Sequence, residues 1–483
     1  MKKNRYLRFC AVAALVAGAV AAADWHVDSV AGKDAADGTT PATAWRTLWR
    51  VNQAKPAPGD RVLFKRGGLW RGELSPVSGA PGKPVTYSWY GQGPKPIIQN
   101  SADRSKASDW FEESPGLWST HSAKLKYDVG IFICDHGRRW GVKKWRNPEW
   151  KVQELENPLD YWYDPDKKRV LVRFDCNPAT AFSSIELAYT RNVVNQNDRH
   201  DIVYDGLCVR YAAAHGFGGG STRNITIRNC DICWIGGGLQ FWRRDPKTGK
   251  IVYPVRFGNG IEFWGDATGH LVERNRLWEI YDAALTNQGR NNTETDIVWR
   301  DNVIWNAEYS FEYWNAKLTA NITFEHNTCV DAGYGWAHAQ RPYRNGAHLM
   351  YFSNRAATTN FVVRNNIFCR ATEWTARSAL DWRYGLTHDH NLVWNDGEVP
   401  VFGWLDGKFL QKIDWTAYRA LGFDPHGTFA RPTFVNERQR DYRLAPGSVG
   451  KGTASDGSDV GARDMPGLDI DQSLRLGYNN HTL

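Results

Sequence analysis

Short runs of alternating apolar and polar residues, each closed by Asn or a neighbour of Asn, recur through the middle of the chain. They are Asn224-Ile-Thr-Ile-Arg-Asn-Cys230, Asp296-Ile-Val-Trp-Arg-Asp-Asn302, Asn321-Ile-Thr-Phe-Glu-His-Asn327 and Asn360-Phe-Val-Val-Arg-Asn-Asn366, with His270-Leu-Val-Glu-Arg-Asn275 as a variant. Asn275 and Asn302 are 27 residues apart and Asn302 and Asn327 are 25 apart, enough for two or three short strands and their turns. Alternation with a period of two marks strands with one buried face, whereas a helical solenoid would space its apolar residues three and four apart. The pattern predicts a β-solenoid. Each coil turns apolar residues inward and pairs its backbone with the coils above and below, and the repeated Asn can stack into a hydrogen-bonded ladder at one corner.

A second register consists of Gly260-Ile-Glu-Phe-Trp264, Ala284-Leu-Thr-Asn-Gln288, Ser310-Phe-Glu-Tyr-Trp314 and Trp336-Ala-His-Ala-Gln340. Its alignment stacks Glu262, Thr286, Glu312 and His338 as an outward polar column. Ile261, Leu285, Phe311 and Ala337 then face inward, because alternate side chains on a strand point to opposite faces. Trp264, Gln288 and Trp314 share the outward face. Four residues upstream, Gly258, Asp282, Glu308 and Tyr334 align beside the preceding turn.

Residues 124–180 break the period, and Tyr161-Trp-Tyr-Asp-Pro-Asp-Lys-Lys-Arg-Val-Leu-Val-Arg173 reads as a hairpin around an Asp-Pro-Asp turn. Residues 243–256 interrupt the coils beside the acidic face as a loop or second hairpin. The expected organisation is a leader at 1–23, an N-terminal cap and first coils at 24–123, and an inserted β region at 124–180. A coil core with the polar face follows at 181–400, then a closing segment at 401–483.

Lys2, Lys3, Arg5 and Arg8, the apolar run Phe9 to Val20, and Ala21-Ala22-Ala23 before Asp24 form the leader, which reads as a cleavable export signal too short to span a bilayer. Its removal lowers the 60 Lys and Arg to 56, against 52 Asp and Glu. The mature chain is therefore only weakly basic, without the basic stripe of a nucleic-acid binder. The expectation is a secreted or periplasmic protein, monomeric, with no nucleic-acid partner and no membrane span. With 42% apolar and 23% charged residues over 483 positions the chain can bury a large core, and 45 Gly with 24 Trp, 20 Tyr and 20 Phe suit a turn-rich β protein. Of eight cysteines Cys10 leaves with the leader, and the seven others cannot all pair. Cys208, Cys230, Cys329 and Cys369 sit among apolar residues and read as buried thiols, while Cys230-x-x-Cys233 lacks the second ligand pair of a zinc site.

The opening Trp25-His-Val-Asp-Ser-Val-Ala-Gly-Lys-Asp-Ala-Ala-Asp-Gly-Thr-Thr-Pro-Ala-Thr-Ala-Trp45, with Pro58-Gly-Asp-Arg-Val-Leu-Phe64, resembles the start of secreted right-handed parallel β-helix proteins of the pectate-lyase-like superfamily. Pro432-Thr-Phe-Val-Asn436, Asp441-Tyr-Arg-Leu-Ala-Pro-Gly-Ser448 and Asp459-Val-Gly-Ala462 resemble their end. The resemblance implies an all-β solenoid acting on carbohydrate, and it does not choose among polysaccharide lyases, glycoside hydrolases and epimerases.

Glycoside hydrolysis needs one protonated and one ionised carboxyl group on either side of the scissile bond. Asp282, Glu312 and Glu308 are the candidates. Coils about 4.8 Å apart place equivalent acids near a retaining separation, and acids two coils apart nearer an inverting one. Glu262, Trp264, Gln288, Trp314, His338, Arg341, His348 and His215 are the candidate substrate contacts, and a poly- or oligosaccharide is the expected partner. The competing reading is β-elimination from a uronic-acid glycan, with Arg341, Arg344, Lys143 or Lys144 facing the carboxylate. In that case the same acids can hold calcium, as they do in calcium-dependent lyases that this fold resembles. The hydrolase reading requires no cofactor. A third reading is carbohydrate binding without catalysis.

Overall fold

The computed structural model describes residues 22–121, 125–342, 344–352, 358–378, 385–397, 402–406 and 409–463. All but the last two residues of the leader lie outside them. Among the described residues, 26 strands form one continuous and almost wholly parallel sheet wound into a right-handed parallel β-helix. No helix among them is long and apolar enough to cross a membrane.

Three ladders make up the wall. The first carries Asp24–Val27, Arg61–Lys65 and Val85–Tyr90, then the repeats that end at Asp205, Arg228, Glu273, Arg300, Glu325, Arg364 and Asp389. The second runs from Leu69–Arg71 to Thr428–Phe429. The third runs through Phe217–Gly218 and the start of Ile261–Glu273 to Phe402–Asp406. Inside, Ile261, Leu285 and Phe311 stack in register as expected. Ile202, Ile225, Ile297, Ile322 and Phe361 face them from the first ladder, all fully buried.

The corner between the first and second ladders explains the Asn repeat. Asn229, Arg274, Asp301, His326, Asn365 and His390 each take a positive φ of 51–59°. This left-handed conformation is one that short polar side chains tolerate better than most. The next residue turns into the core. There Asn275, Asn302, Asn327 and Asn366 each donate from Nδ2 to the Oδ1 of the next Asn at 3.0–3.1 Å, and the last, Asn391, closes the ladder on Asp424 at 2.8 Å.

The described strands of the insertion begin at Ser101–Asp103 and continue through Ile185–Tyr189, so the inserted region starts earlier than position 124. The coil leaves after Ile97–Gln99, which pairs directly with Cys208–Ala212. The insertion packs Ile131, Ile133 and Ala188 over the outer face of the second ladder. Farther along, the closing segment covers the same face, with Tyr442 6.1 Å from Trp305. The outer face of the third ladder is left open.

Cys134, Cys208, Cys230, Cys233, Cys329 and Cys369 are buried free thiols, and Cys176 is an exposed one.

A candidate active site on the third ladder

Strand pairing places Glu262, Thr286 and Glu312 in one column, and Trp264, Gln288 and Trp314 in the next, on the open face. These two columns are as the repeat predicts. Asp282 sits where the second ladder turns into the third. The register slips by one residue between Ile280 and Ala283, and this bulge turns the Asp282 side chain into the cleft. The cleft, of about 730 Å³, is lined on the coil side by His215, Glu262, Trp264, Asp282, Gln288 and Glu312. A hairpin of Gly238–Arg244 and Ile251–Phe257 forms the opposite wall. This is the 243–256 interruption, and it begins a few residues earlier than the sequence shows.

The two central acids differ in their surroundings. Glu312 accepts from Gln288 Nε2 at 2.7 Å and from Trp314 Nε1 at 3.0 Å. Burial, with the negative charge of Asp282 next in weight, pushes its carboxyl up to about 8. Asp282 is also raised by burial and by the charge of Glu308, but the guanidinium of Arg341 opposes them from 3.2 Å. Arg341 is held by the carbonyl of Tyr281 at 2.6 Å and lies 4.8 Å from the centre of the Tyr281 ring. Buried among acids and phenols, it keeps its charge.

Glu308 lies beneath the cleft and does not line it. One oxygen accepts the Asn345 amide at 2.8 Å and is 3.5 Å from Arg341 Nε, and the other meets His338 Nδ1 at 3.1 Å. With its side chain fully buried it has no reach to a substrate, so its expected place among the reacting acids is corrected to a support for Arg341. His338 also moves. The partner of Glu312 in the next coil is Met350, and the partner of Phe311 is Leu349, where His338 and Ala337 were expected. The described residues from 333 to 342 lie in a turn that includes the short 3-10 helix His338–Gln340, and the coil resumes at Ala347. His348 faces away from the cleft. It is fully buried against Phe368, bonded to Ser310 at 3.0 Å and kept neutral by burial, so the expectation of a substrate contact is overturned. His215 does line the cleft, with Nδ1 accepting the Asn259 amide at 3.1 Å and lying 3.4 Å from Glu262.

Several lining residues carry no repeat signal. Tyr309 stands beside Arg341 at 3.5 Å. Asn259 donates to Glu262 at 2.6 Å and accepts the Ala283 amide at 3.0 Å. Arg256 and Arg243 come from the hairpin, and Arg290 from the turn after the third ladder. Arg256 bonds the carbonyls of Gly237 and Gly130 and reaches Gln340, which also donates to the Gly141 carbonyl of the insertion at 3.1 Å. The insertion thereby fixes the wall of the cleft. Trp264, 48% exposed, offers a flat apolar face at its mouth. A second hollow of about 470 Å³ shares His215, Phe257, Glu262 and Trp264 and extends the groove past Asn192 and Tyr127.

No protein-family model matches the chain, and no curated protein matches it significantly. Among solved structures it is similar to XylC in complex with xylose, with 10% identity, 79% of this chain and 71% of the other covered, and a TM-score of 0.46. It is similar to a glycoside hydrolase, at 9% identity over 78% and 94% of the two chains with a TM-score of 0.47. It is also similar to the pectate lyase Pel9A, at 10% identity over 92% and 98% with a TM-score of 0.43. At these identities the likeness is one of fold.

Proposed function

We propose that the protein is a carbohydrate-active enzyme that hydrolyses a glycosidic bond of a poly- or oligosaccharide, with Glu312 as general acid and Asp282 as nucleophile or water-activating base. The observation that carries this reading is the pair of acids in one cleft whose surroundings set them apart. Glu312 holds its proton to about pH 8 with neutral donors on its oxygens, whereas Asp282, though also raised by burial, bonds the permanently charged guanidinium of Arg341. A protonated group for the leaving oxygen and an ionised one for the anomeric carbon are what the reaction requires. Trp264 and Trp314, flanking Gln288, supply faces for sugar rings and a hydrogen-bonding amide between them.

β-Elimination fits these residues less well. Arg341, held charged, could face a uronate carboxylate but could not take the C5 proton. Lys143 is lowered to about 8 by burial, but its ammonium is tied to Asp128 and does not line the cleft. Calcium is also a poor match, because Asp282, Glu308 and Glu312 already accept from N–H groups of Arg341, Asn345, Gln288 and Trp314, and the guanidinium of Arg341 stands where a cation would be repelled. The test is digestion of a glycan panel with and without chelator, reading reducing ends and the ultraviolet absorbance of unsaturated uronates together. New reducing ends without absorbance, unaffected by chelator and lost in Asp282→Asn and Glu312→Gln, are expected. Absorbance that grows with cleavage, or full activity in Glu312→Gln, would overturn the assignment.

A further inference from the structure

The last coil ends in a cluster of side chains that the cleft does not use. Asp389 closes the strand Leu386–Asp389 of the first ladder, and His390 follows it at the corner with a φ of 55°. His426 stands in the closing segment, between the helix Trp415–Ala420 and the strand Thr428–Phe429. The end of the Asn ladder fixes the backbone on both sides. Asn391 donates to Asp424 at 2.8 Å, and the amides of Asp424 and Thr428 donate to the carbonyls of His388 and Asn391 at 2.8 and 2.9 Å. On this frame Asp389, His390 and His426 each bring a ligand atom within 4.8 Å of the other two. Two backbone amides orient the carboxylate: Asp389 Oδ1 accepts from His390 at 2.9 Å and from His426 at 3.0 Å. Its Oδ2 lies 3.2 Å from His390 Nδ1 and 3.0 Å from His426 Nδ1, which is also 3.2 Å from Oδ1. The two imidazoles stack with centroids 4.8 Å apart and planes at 27°. Donor atoms on a tetrahedral zinc ion, each at about 2.0–2.1 Å, stand about 3.3 Å from one another, so the spacings around Oδ2 are close to those of a coordinated set. A carboxylate held by amides while it faces two imidazoles is also how a metal-ligating acid is oriented. The nearby guanidinium groups point elsewhere: Arg364, paired in register with Asp389, donates to Glu325 at 2.9 Å, and Arg419 donates to the Pro425 carbonyl at 2.6 Å.

We propose that Asp389, His390 and His426 form a binding site for a zinc-class divalent cation that clasps the closing segment to the last coil. Two imidazoles and one carboxylate are a donor set for zinc and its first-row neighbours, whereas calcium and magnesium take sets of oxygens. Coordination replaces the contacts of the two Nδ1 atoms with Oδ2, and each ring then carries its proton on Nε2. The His426 side chain is 67% exposed, so the cation enters from solvent and water completes its shell. None of the three residues lines the cleft, and the proposal does not depend on the function assigned there.

The experiment is titration of the chelator-treated protein, free of any affinity tag, with cobalt(II) read by visible absorption, followed by zinc in competition. One cobalt(II) per chain, displaced by zinc and not by calcium or magnesium, is expected. His426→Gln removes one ligand from an exposed position. His390→Asn removes another at a corner where Asn229 and Asn365 already take the same backbone conformation. Each substitution is expected to weaken the affinity about tenfold or more, and melting without metal confirms that both variants fold. Zinc is expected to raise the Tm of the parent and to leave that of His426→Gln unchanged, because a ligand stabilises only a state that binds it. No saturable binding of cobalt or zinc, or an affinity unchanged in both variants, would overturn the proposal. So would a single equivalent showing the thiolate-to-cobalt absorption of the exposed Cys176, or an equal rise in Tm in parent and His426→Gln.

Discussion

Glu312 is acted on in opposite senses by its surroundings: burial and the charges of Asp282 and Glu262 raise it, while Trp314 and Arg341 lower it. The raising influences prevail, so the acid is protonated at neutral pH, and activity that depends on the proton must fall as pH rises past about 8. The descending limb of kcat/KM against pH is expected there. Glu262→Gln removes one repelling charge, so the same limb should move to lower pH, while Glu312→Gln should cost about 10²- to 10⁴-fold in turnover without loss of fold. A limb that stays in place in Glu262→Gln would show that another group sets it. At this scale the sequence made part of the site legible. Glu262, Glu312, Trp264, Gln288 and Trp314 follow the strand period and could be aligned by counting. Asp282 follows the same count, but its aim into the cleft depends on a bulge that no spacing reveals. His338 failed for a numerical reason: residues 336–340 continue the 26-residue interval, yet they belong to a turn, and the real interval from Glu312 to Met350 is half as long again. Tyr309 and Arg256 enter through tertiary contact and have no local signature.

Each coil joins its neighbours through two polar ladders. In the buried one, Asn302 Oδ1 accepts both the backbone amide and Nδ2 of Asn275, and its own Nδ2 donates to Asn327 Oδ1 and to the Val272 carbonyl. Asn302→Ala strands several buried polar groups at once, each costing about 1–3 kcal/mol, so the loss in denaturant unfolding should exceed 2 kcal/mol. The second ladder lies outside. Strand pairing sets Asp205, Arg228, Glu273, Arg300, Glu325, Arg364 and Asp389 in line, with the sign of charge alternating at every step. Arg300 donates to Glu273 at 2.7 Å, and a slip of one residue would bring unlike faces together. Arg300→Glu places three acids in a row, one of them the buried Glu273, and should cost about 1 kcal/mol or more, less at high salt because position 300 is itself partly exposed. Insensitivity to salt would mean that the ladder sets no energy of its own. The Asn repeat was readable in the sequence because one residue type recurs, whereas the charged ladder uses three types at uneven intervals and appears only once the strands are paired.

Across the whole molecule the distribution of buried carboxyls dictates how stability responds to pH. Burial raises Glu279 to about 7, Glu294 to about 8 and Asp424 to about 7, along with Glu312 at about 8. In the unfolded chain these groups lose their protons near pH 4, whereas the folded protein holds them until pH 7–8. Between those limits the folded state binds more protons, so each group's contribution is complete below pH 4 and declines as pH rises to 8. The carboxylates that are lowered work the other way. Asp456, brought to about 2 chiefly by hydrogen bonds from Ser458, and Asp231, held down by Arg276 and Lys95 despite its burial, contribute stability that is lost as pH falls below 4. His270, His348 and His388, each lowered to about 3 by burial, stay neutral in the fold but take up protons near pH 6.5 when the chain unfolds, so they offset the first set below neutrality, and Tm should fall only from about pH 7 to 8. Glu294 isolates the first set, because it lies inside the helix away from the cleft and its only described partner is Asn287, which donates to Oε2 at 2.9 Å. Glu294→Gln keeps the shape and that acceptor while removing the titration. Its Tm should therefore be less dependent on pH over this range and exceed that of the parent most at pH 8. A parent Tm that is flat or rises from pH 7 to 8, or an unchanged slope there in Glu294→Gln, would mean that these carboxyls are not carried neutral inside the coils.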